Sequence, residues 1–234
     1  MILLDDIEKK YDFIFPALFK QLWSDGMLDW MNGRTAPFNS DENWAKTIYP
    51  EIKDNPPLLL HSGGFDFEML RAKEMLDFKF DELWDIEEHD FIPFAKTDEN
   101  NVYAFYKNLK VDKEYAVVYI WNDMNETEII AKNFEDFIFR KMLEAIFDID
   151  KDDLKGDYKK SGFDGYKIDL LSDLKSIKPY LNEQYIDILT NFYARNAQES
   201  MFSYGLISKD ELVETIQKHL LFQELDSIFE HEIE

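Results

Sequence analysis

The sequence predicts an α+β fold: a central, mainly antiparallel sheet with N-terminal helices packed on it, plus a helical C-terminal extension. Three observations predict it. Phe91-Ile92-Pro93-Phe94-Ala95, Val102 to Tyr106 and Tyr115 to Trp121 are aromatic and β-branched runs, the composition of strands. The gaps between them, Lys96 to Asn100 and Lys107 to Glu114, are too short for a parallel crossover and favour antiparallel neighbours. On either side of this block, apolar residues recur at helical spacing. The Tyr115–Trp121 run is continuously apolar, which predicts a strand covered on both faces.

The remaining elements follow in order. Asp5 is placed to cap a first short helix, with Glu8 three residues on in the capping-box position. Pro16 stands where a second helix begins, and Leu18, Phe19, Leu22 and Trp23 give that helix its apolar face. Asn32-Gly33 is a turn. Residues 34 to 57 are polar and read as irregular, stopped by Asn55-Pro56-Pro57. Phe65, Met69, Ala72 and Leu76 fall on one face of a further helix. Thr127 to Ala131 is expected as an edge strand. Phe134, Phe137, Ile138, Met142 and Ala145 mark an amphipathic helix that closes the block. Tyr185, Ile188, Leu189 and Phe192 form a later stripe. Leu212, Val213, Ile216, Leu220 and Phe229 form another, opened by Ser208 with Glu211 at the box position. Composition divides the chain into a domain at 1–147, a linker at 148–168 and the helical extension at 169–234.

With 234 residues, 45% of them hydrophobic, and with 20 Phe, 12 Tyr and 5 Trp, the chain has material for a core that buries roughly 70% of its unfolded surface. Against 26 Lys and Arg stand 49 Asp and Glu, a net charge of -23. Nucleic-acid backbones and anionic membranes demand clustered cations, and the sequence lacks them. The charge reads two ways, as plain solubility or as complementarity to a basic partner. There is no cysteine, hence no disulfide, thiolate nucleophile or thiolate metal site. The acidic start and the lack of an 18-residue apolar run point to a soluble cytoplasmic protein.

Motifs that carry chemistry are weak. Asp148, Asp150 and Asp152 match positions 1, 3 and 5 of an EF-hand loop, but Asp153 replaces the turn glycine and Lys159 the bidentate glutamate. A solvated linker is the better reading. His61-Ser62-Gly63-Gly64 lacks the nucleophile-elbow pattern and reads as a turn. His89, His219 and His231 have no second ligand at metal spacing. No catalytic, cofactor-binding or metal-binding residue is assigned. The best functional candidate is the acidic segment Asp77, Asp81, Glu82, Asp85, Glu87, Glu88 and Asp90, with Phe78, Phe80, Leu83 and Trp84 interleaved. It reads either as a solvated face or as a docking surface. Trp84 and Tyr106 are its candidate aromatic anchors; Asp123, Glu126 and Glu128 form a second patch.

Ile7-Glu8-Lys9-Lys10-Tyr11, Phe15-Pro16 leading to Trp23, Asn32-Gly33, Phe91 to Ala95, Tyr103 to Tyr106, Val117 to Asp123 and Asn133 to Phe137 together resemble the SUKH superfamily of Smi/Knr-type proteins. The resemblance covers about residues 2 to 147. The chain departs from it with Phe-Pro in place of Leu-Pro at the second helix, and with Asp98 to Asn101 where glycines are common. The resemblance implies an α+β fold and an immunity protein that binds and occludes a bacterial toxin, often a nuclease. The acidic residues would then face cations of a basic toxin domain. It also allows a regulatory scaffold that binds housekeeping proteins. A carboxylate-dependent hydrolase is a third reading, from another class.

Overall fold

The computed structural model describes residues 4–33, 44–64, 67–80, 84–85, 88–156 and 158–233. Its helices are α1 (Leu4–Tyr11), α2 (Ala17–Ser24), α3 (Tyr49–Ile52, continuing a π-helical turn at Trp44–Ile48), α4 (Ala72–Asp77), α5 (Phe134–Glu144), α6 (Gly162–Ile177), α7 (Glu183–Tyr193) and α8 (Lys209–His219). Its strands are β1 (Glu68–Met69), β2 (Trp84–Asp85), β3 (Phe91–Lys96), β4 (Val102–Val111), β5 (Glu114–Ile120), β6 (Glu126–Ala131), β7 (Ile149–Asp150), β8 (Gln198–Glu199), β9 (Ser203–Gly205), β10 (Ile228–Glu230) and β11 (Glu232–Ile233). Every described strand pair is antiparallel, so the chain is α+β. By contacts it forms two units, each drawn from separated stretches. The first is Met1–Gln21, Asp66–Phe137 and His219–Glu234; the second is Leu22–Phe65 and Ile138–Lys218.

The first unit is built on a six-stranded sheet in the order β1-β3-β4-β5-β6-β10. β4 and β5 lie at its centre and are joined by Asp112 and Lys113, both at left-handed φ (51° and 76°). That backbone matches the twist of a two-residue hairpin. On one face the fully buried Phe105 meets the rings of Phe13, Phe15, Phe19, Phe94 and Phe134, with centroids 4.9 to 5.8 Å away. On the other, Val102, Ala104, Tyr106, Ala116, Val118, Ile120 and Ile129 are covered by Phe78, Phe80, Phe222 and Phe229. Burial on both sides explains why these strands read as continuous apolar runs. Phe134 is aimed by α5, whose first turn is capped by Asn133 accepting from the Asp136 amide at 2.8 Å. Glu8 reaches forward to the Phe15 amide (2.8 Å) and Lys20 (2.7 Å), holding the α1–α2 connection rather than closing a box on Asp5.

Three sequence expectations fail in this unit, each because tertiary pairing overrides local pattern. Met69 is not helical: it pairs with Ala95 at the sheet margin, Arg71 is extended, and the helix starts at Ala72. Phe65 lies outside the described residues. Thr127–Ala131 is not an edge strand, because β10 pairs along it, with Phe229 opposite Thr127. Phe229 therefore belongs to a strand and not to the last helical stripe. The C-terminal segment is fastened at His231. Its ring Nε2 lies 2.7 Å from the Oγ1 of the fully buried Thr127, and its amide donates to the Asn125 carbonyl at 2.7 Å. Burial and the neighbouring His89 lower the His231 pKa below its ordinary 6.5.

In the second unit, Trp44, Ile48 and Ile52 are spaced by four and pack with Met31 and Leu60, so the tract read as irregular contains a helix. Residues 34–43 of that tract lie outside the described part. The compositional linker carries β7, a 3₁₀ turn at Asp153–Lys155 and the start of α6. β7, β9 and β8 form a small sheet. α7 presents Tyr185, Ile186, Leu189 and Tyr193 inward. Tyr185 stacks on Phe139 at 3.9 Å, and the Tyr193 hydroxyl donates to the Met142 carbonyl. Ser208 and Glu211 form the expected reciprocal box at α8 (3.0 and 3.2 Å). The firmest polar junction is Asp173 on α6. One of its oxygens accepts from the amides of His61 and Ser62 (3.0 and 2.7 Å) and from the Ser62 hydroxyl (2.5 Å). Burial pushes its carboxyl above the ordinary range, opposed by His61 and by the Ser62 donors.

Three predictions follow from these contacts. Phe105→Ala should remove about 3–5 kcal/mol of stability, read by urea denaturation. Asp173→Ala strands two amides and a hydroxyl in the interior, each worth about 1–3 kcal/mol. It should destabilise more than Asp173→Asn, which keeps an acceptor. His231 is held below its unfolded pKa, so its contribution is present above pH 6.5 and is lost as pH falls through the folded value. The thermal midpoint of the native chain should therefore drop more between pH 7.5 and 5.5 than that of His231→Gln.

Candidate interaction surface

The acidic segment starts where α4 ends. Asp77 closes that helix, 69% exposed and 3.9 Å from Lys73. The helix end is gripped from α1: the Tyr11 hydroxyl donates to the Met75 carbonyl at 2.7 Å, and Lys10 Nζ reaches the Met75 and Phe78 carbonyls (3.3 and 3.4 Å). Burial pushes the Tyr11 pKa up to about 12. Beyond Asp77 the chain is extended and alternates. Phe78 and Phe80 pack on the sheet while Lys79 is exposed. Its apolar residues thus turn inward, and the charged Asp77 and Lys79 face water.

Asp81, Glu82 and Glu87 lie outside the described residues. Trp84 and Asp85 form β2, paired with Ile233 and Glu232 of β11. Glu88 and Asp90 are exposed. Asn108 ties down their backbone, donating to the Glu88 carbonyl and accepting from the Asp90 amide, each at 2.8 Å. Lys107 stands 4.0 Å from Asp90 and 3.5 Å from the fully exposed Asp12. Such exposed pairs are worth about 0–1 kcal/mol and do not quench the local negative potential.

Tyr106 sits inside the sheet layer and not on the surface. It is only 9% exposed, stacks on Phe91 and Phe229, and bonds through its hydroxyl to His89 Nδ1 at 2.8 Å. Its strand position places it on the covered face, so its ring belongs to the core. Asp123 is exposed at the turn between β5 and β6, beside Met124 at 55% exposure. Glu126 is half-buried at the start of β6.

The C-terminal segment joins these patches. β10 pairs with β6 and β11 pairs with β2, which places Glu230 opposite Glu126 and Glu232 opposite Asp85. Glu230 opposite Glu126 sets like charges across that ladder, which is unfavourable. Sequence reasoning missed Glu230 and Glu232. The signal was the alternation Phe229-Glu230-His231-Glu232-Ile233, a period of two and not of a helix.

The other motifs read from the sequence are engaged in structural contacts among the described residues. Ser62 is 1% exposed, and its hydroxyl is committed to Asp173. His61 lies beside Asp169 instead, at 4.0 Å. A groove of about 550 Å³ lies between the α1–α2 connection and the β4–β5 hairpin. Glu8, Asp12 and Glu114 mix there with Lys110 and Lys113. Asp148 accepts from the Ser203 hydroxyl at 2.6 Å and Asp150 from the Asp152 amide at 2.7 Å, so these acids hold backbone and side-chain donors of the small sheet.

No curated protein and no solved structure matches the chain. The SMI1 / KNR4 family (SUKH-1) matches residues 3–140, which takes in the whole block from α1 to β6 and most of α5. Members of this family are generally non-enzymatic immunity or regulatory proteins. The order of elements, the two-sided sheet and this match over more than half the sequence agree: the chain belongs to the SMI1/KNR4 family (SUKH-1).

Proposed function

We propose that the chain is an immunity-type binding protein that neutralises a bacterial toxin by occluding it, with the acidic surface of the first unit as its docking face. The observation that carries this reading is the pairing of β10 with β6, which sets Glu230 of the C-terminal segment opposite Glu126. β11, next along the chain, pairs with β2 in a second, two-stranded ladder at the acidic positions Asp85 and Glu232, in a family whose members act by binding proteins. A partner whose substrate cleft is lined by Lys and Arg, as in a nuclease, has the complementary potential and gains association rate from it. The action is stoichiometric and breaks no covalent bond, in the cytoplasm where the toxin arrives. Regulatory binding of a housekeeping protein, the other role found in the family, uses the same surface with a different partner.

Co-expression with a toxin encoded beside this gene should restore growth. Reversing Asp81, Glu82 and Asp85 to lysine should slow association with that toxin by tenfold or more and flatten its salt dependence. The thermal midpoint should change little. Unchanged association at low salt would remove the acidic face from the proposal, and recovery of a housekeeping protein in place of a toxin would favour the regulatory role.

A further inference from the structure

Met201 and Phe202 are 80% and 69% exposed, adjacent, and at the tip of the hairpin between β8 and β9. Exposed apolar side chains are ordinary when they hang from a loose loop. Here the backbone beneath them is fixed. The Ser200 hydroxyl accepts from the amides of Phe202 and Ser203 (3.3 and 3.0 Å), and the Ser200 amide donates to the Ser203 carbonyl at 2.9 Å. From β7, the Lys151 amide donates to the Phe202 carbonyl at 2.9 Å, and Lys151 Nζ reaches the Ser200 carbonyl at 2.7 Å. The base of the hairpin is seated in the unit by Tyr204, stacked on the buried Phe163 with centroids 5.4 Å apart. Two large apolar side chains are therefore held out in water by a turn that has little freedom left to lose. Binding through such a tip avoids the ordering cost that a mobile loop incurs.

The surroundings select the partner. Asp148, Asp150 and Glu199 are exposed beside the tip: Asp148 accepts from the Ser203 hydroxyl, Asp150 pairs with Ser203, and Glu199 stands opposite Tyr204 at the end of β8. Lys151 is held against Glu199 at 2.6 Å, which leaves the rim negative. We infer that the Met201–Phe202 turn is a preorganised prong that inserts into an apolar pocket of a protein partner rimmed by Lys and Arg. The prong lies outside residues 3–140 matched by the family, so it is a recognition element that this chain adds to the common fold. It stands independently of the acidic face of the first unit.

The test uses the full chain with a benzophenone amino acid at position 202, irradiated in the native cell, followed by binding of the purified adducted protein to unmodified chain. An adduct with a different protein is expected. Its affinity should fall at least tenfold for Phe202→Ser and for Met201→Lys and be retained by Phe202→Trp, as for a buried aromatic anchor. Both residues are exposed, so thermal midpoints should match the native chain. Absence of an adduct, an adduct only with a second copy of this chain, or unchanged affinity in the serine and lysine variants would overturn the inference. Reversal of Asp81, Glu82 and Asp85 in parallel separates the two surfaces: loss of binding there alone supports the acidic face and sinks the prong.

Discussion

The first unit depends on β4 and β5 being buried on both faces. A strand pair with water on one side could alternate polar and apolar residues, but Val102–Tyr106 and Ala116–Val118 have no polar residue to turn outward. Each face must therefore be roofed by something else in the chain. α2, α5 and the Phe13–Phe15 connection roof one side with stacked and edge-on phenylalanines. The acidic segment and the C-terminal strand roof the other with Phe78, Phe80, Phe222 and Phe229. Fully burying such a ring is worth about 1.5–3 kcal/mol, and the partly buried covering rings supply a share of that, against about 0–1 kcal/mol for an exposed ion pair. The acids on these covering segments are therefore placed by the phenylalanines beside them.

That coupling explains how so acidic a chain can concentrate charge without unfolding. Self-repulsion at a net charge of -23 opposes compaction. Where charged and aromatic residues alternate, as from Asp77 to Phe80, the aromatic is drawn inward and the charge remains in high-dielectric water, where its interactions are weak. The same alternation in Phe229-Glu230-His231-Glu232 docks an acidic strand beside acidic neighbours. Apolar burial and the His231–Thr127 bond hold the strand there although Glu230 stands opposite Glu126.

The parts of the fold that were legible in the sequence are those with strong local patterns. The three strands, the Asn133-capped helix and the Ser208–Glu211 box each carry their signal within a few residues. The family resemblance rests on the same block. The parts that were not legible are made by partners distant in sequence. Met69 is drawn into a strand by Ala95, β6 is made interior by β10, and the Trp44–Ile52 helix is stabilised by Met31 and Leu60. Leu60 apart, none of those partners falls within a dozen residues of the segment it fixes. For the candidate surface, the acids were visible but the strand pairing beside them was not, since it depends on a C-terminal segment whose period-two pattern lasts only five residues. The aromatic character of Tyr106 suits an anchor and a core equally, and its strand register puts the ring on the covered face.

The C-terminal extension is part of the folded body, because it completes structure that the family-matched region leaves open. Residues 22–65 fall within the match, yet they share a unit with residues 138–218. The point of attachment is chemical: the His61 and Ser62 amides have their acceptor on Asp173, more than a hundred residues away. Buried amides without an acceptor are strongly unfavourable, so the His61–Ser62 turn and α6 must form together. β10 does the same for the sheet, covering the flank of β6 that would otherwise present unpaired backbone groups. The extension thus supplies hydrogen-bond partners to two places in the common fold. Within the second unit, the β8–β9 hairpin is seated on the same helix, through Tyr204 stacked on Phe163 of α6.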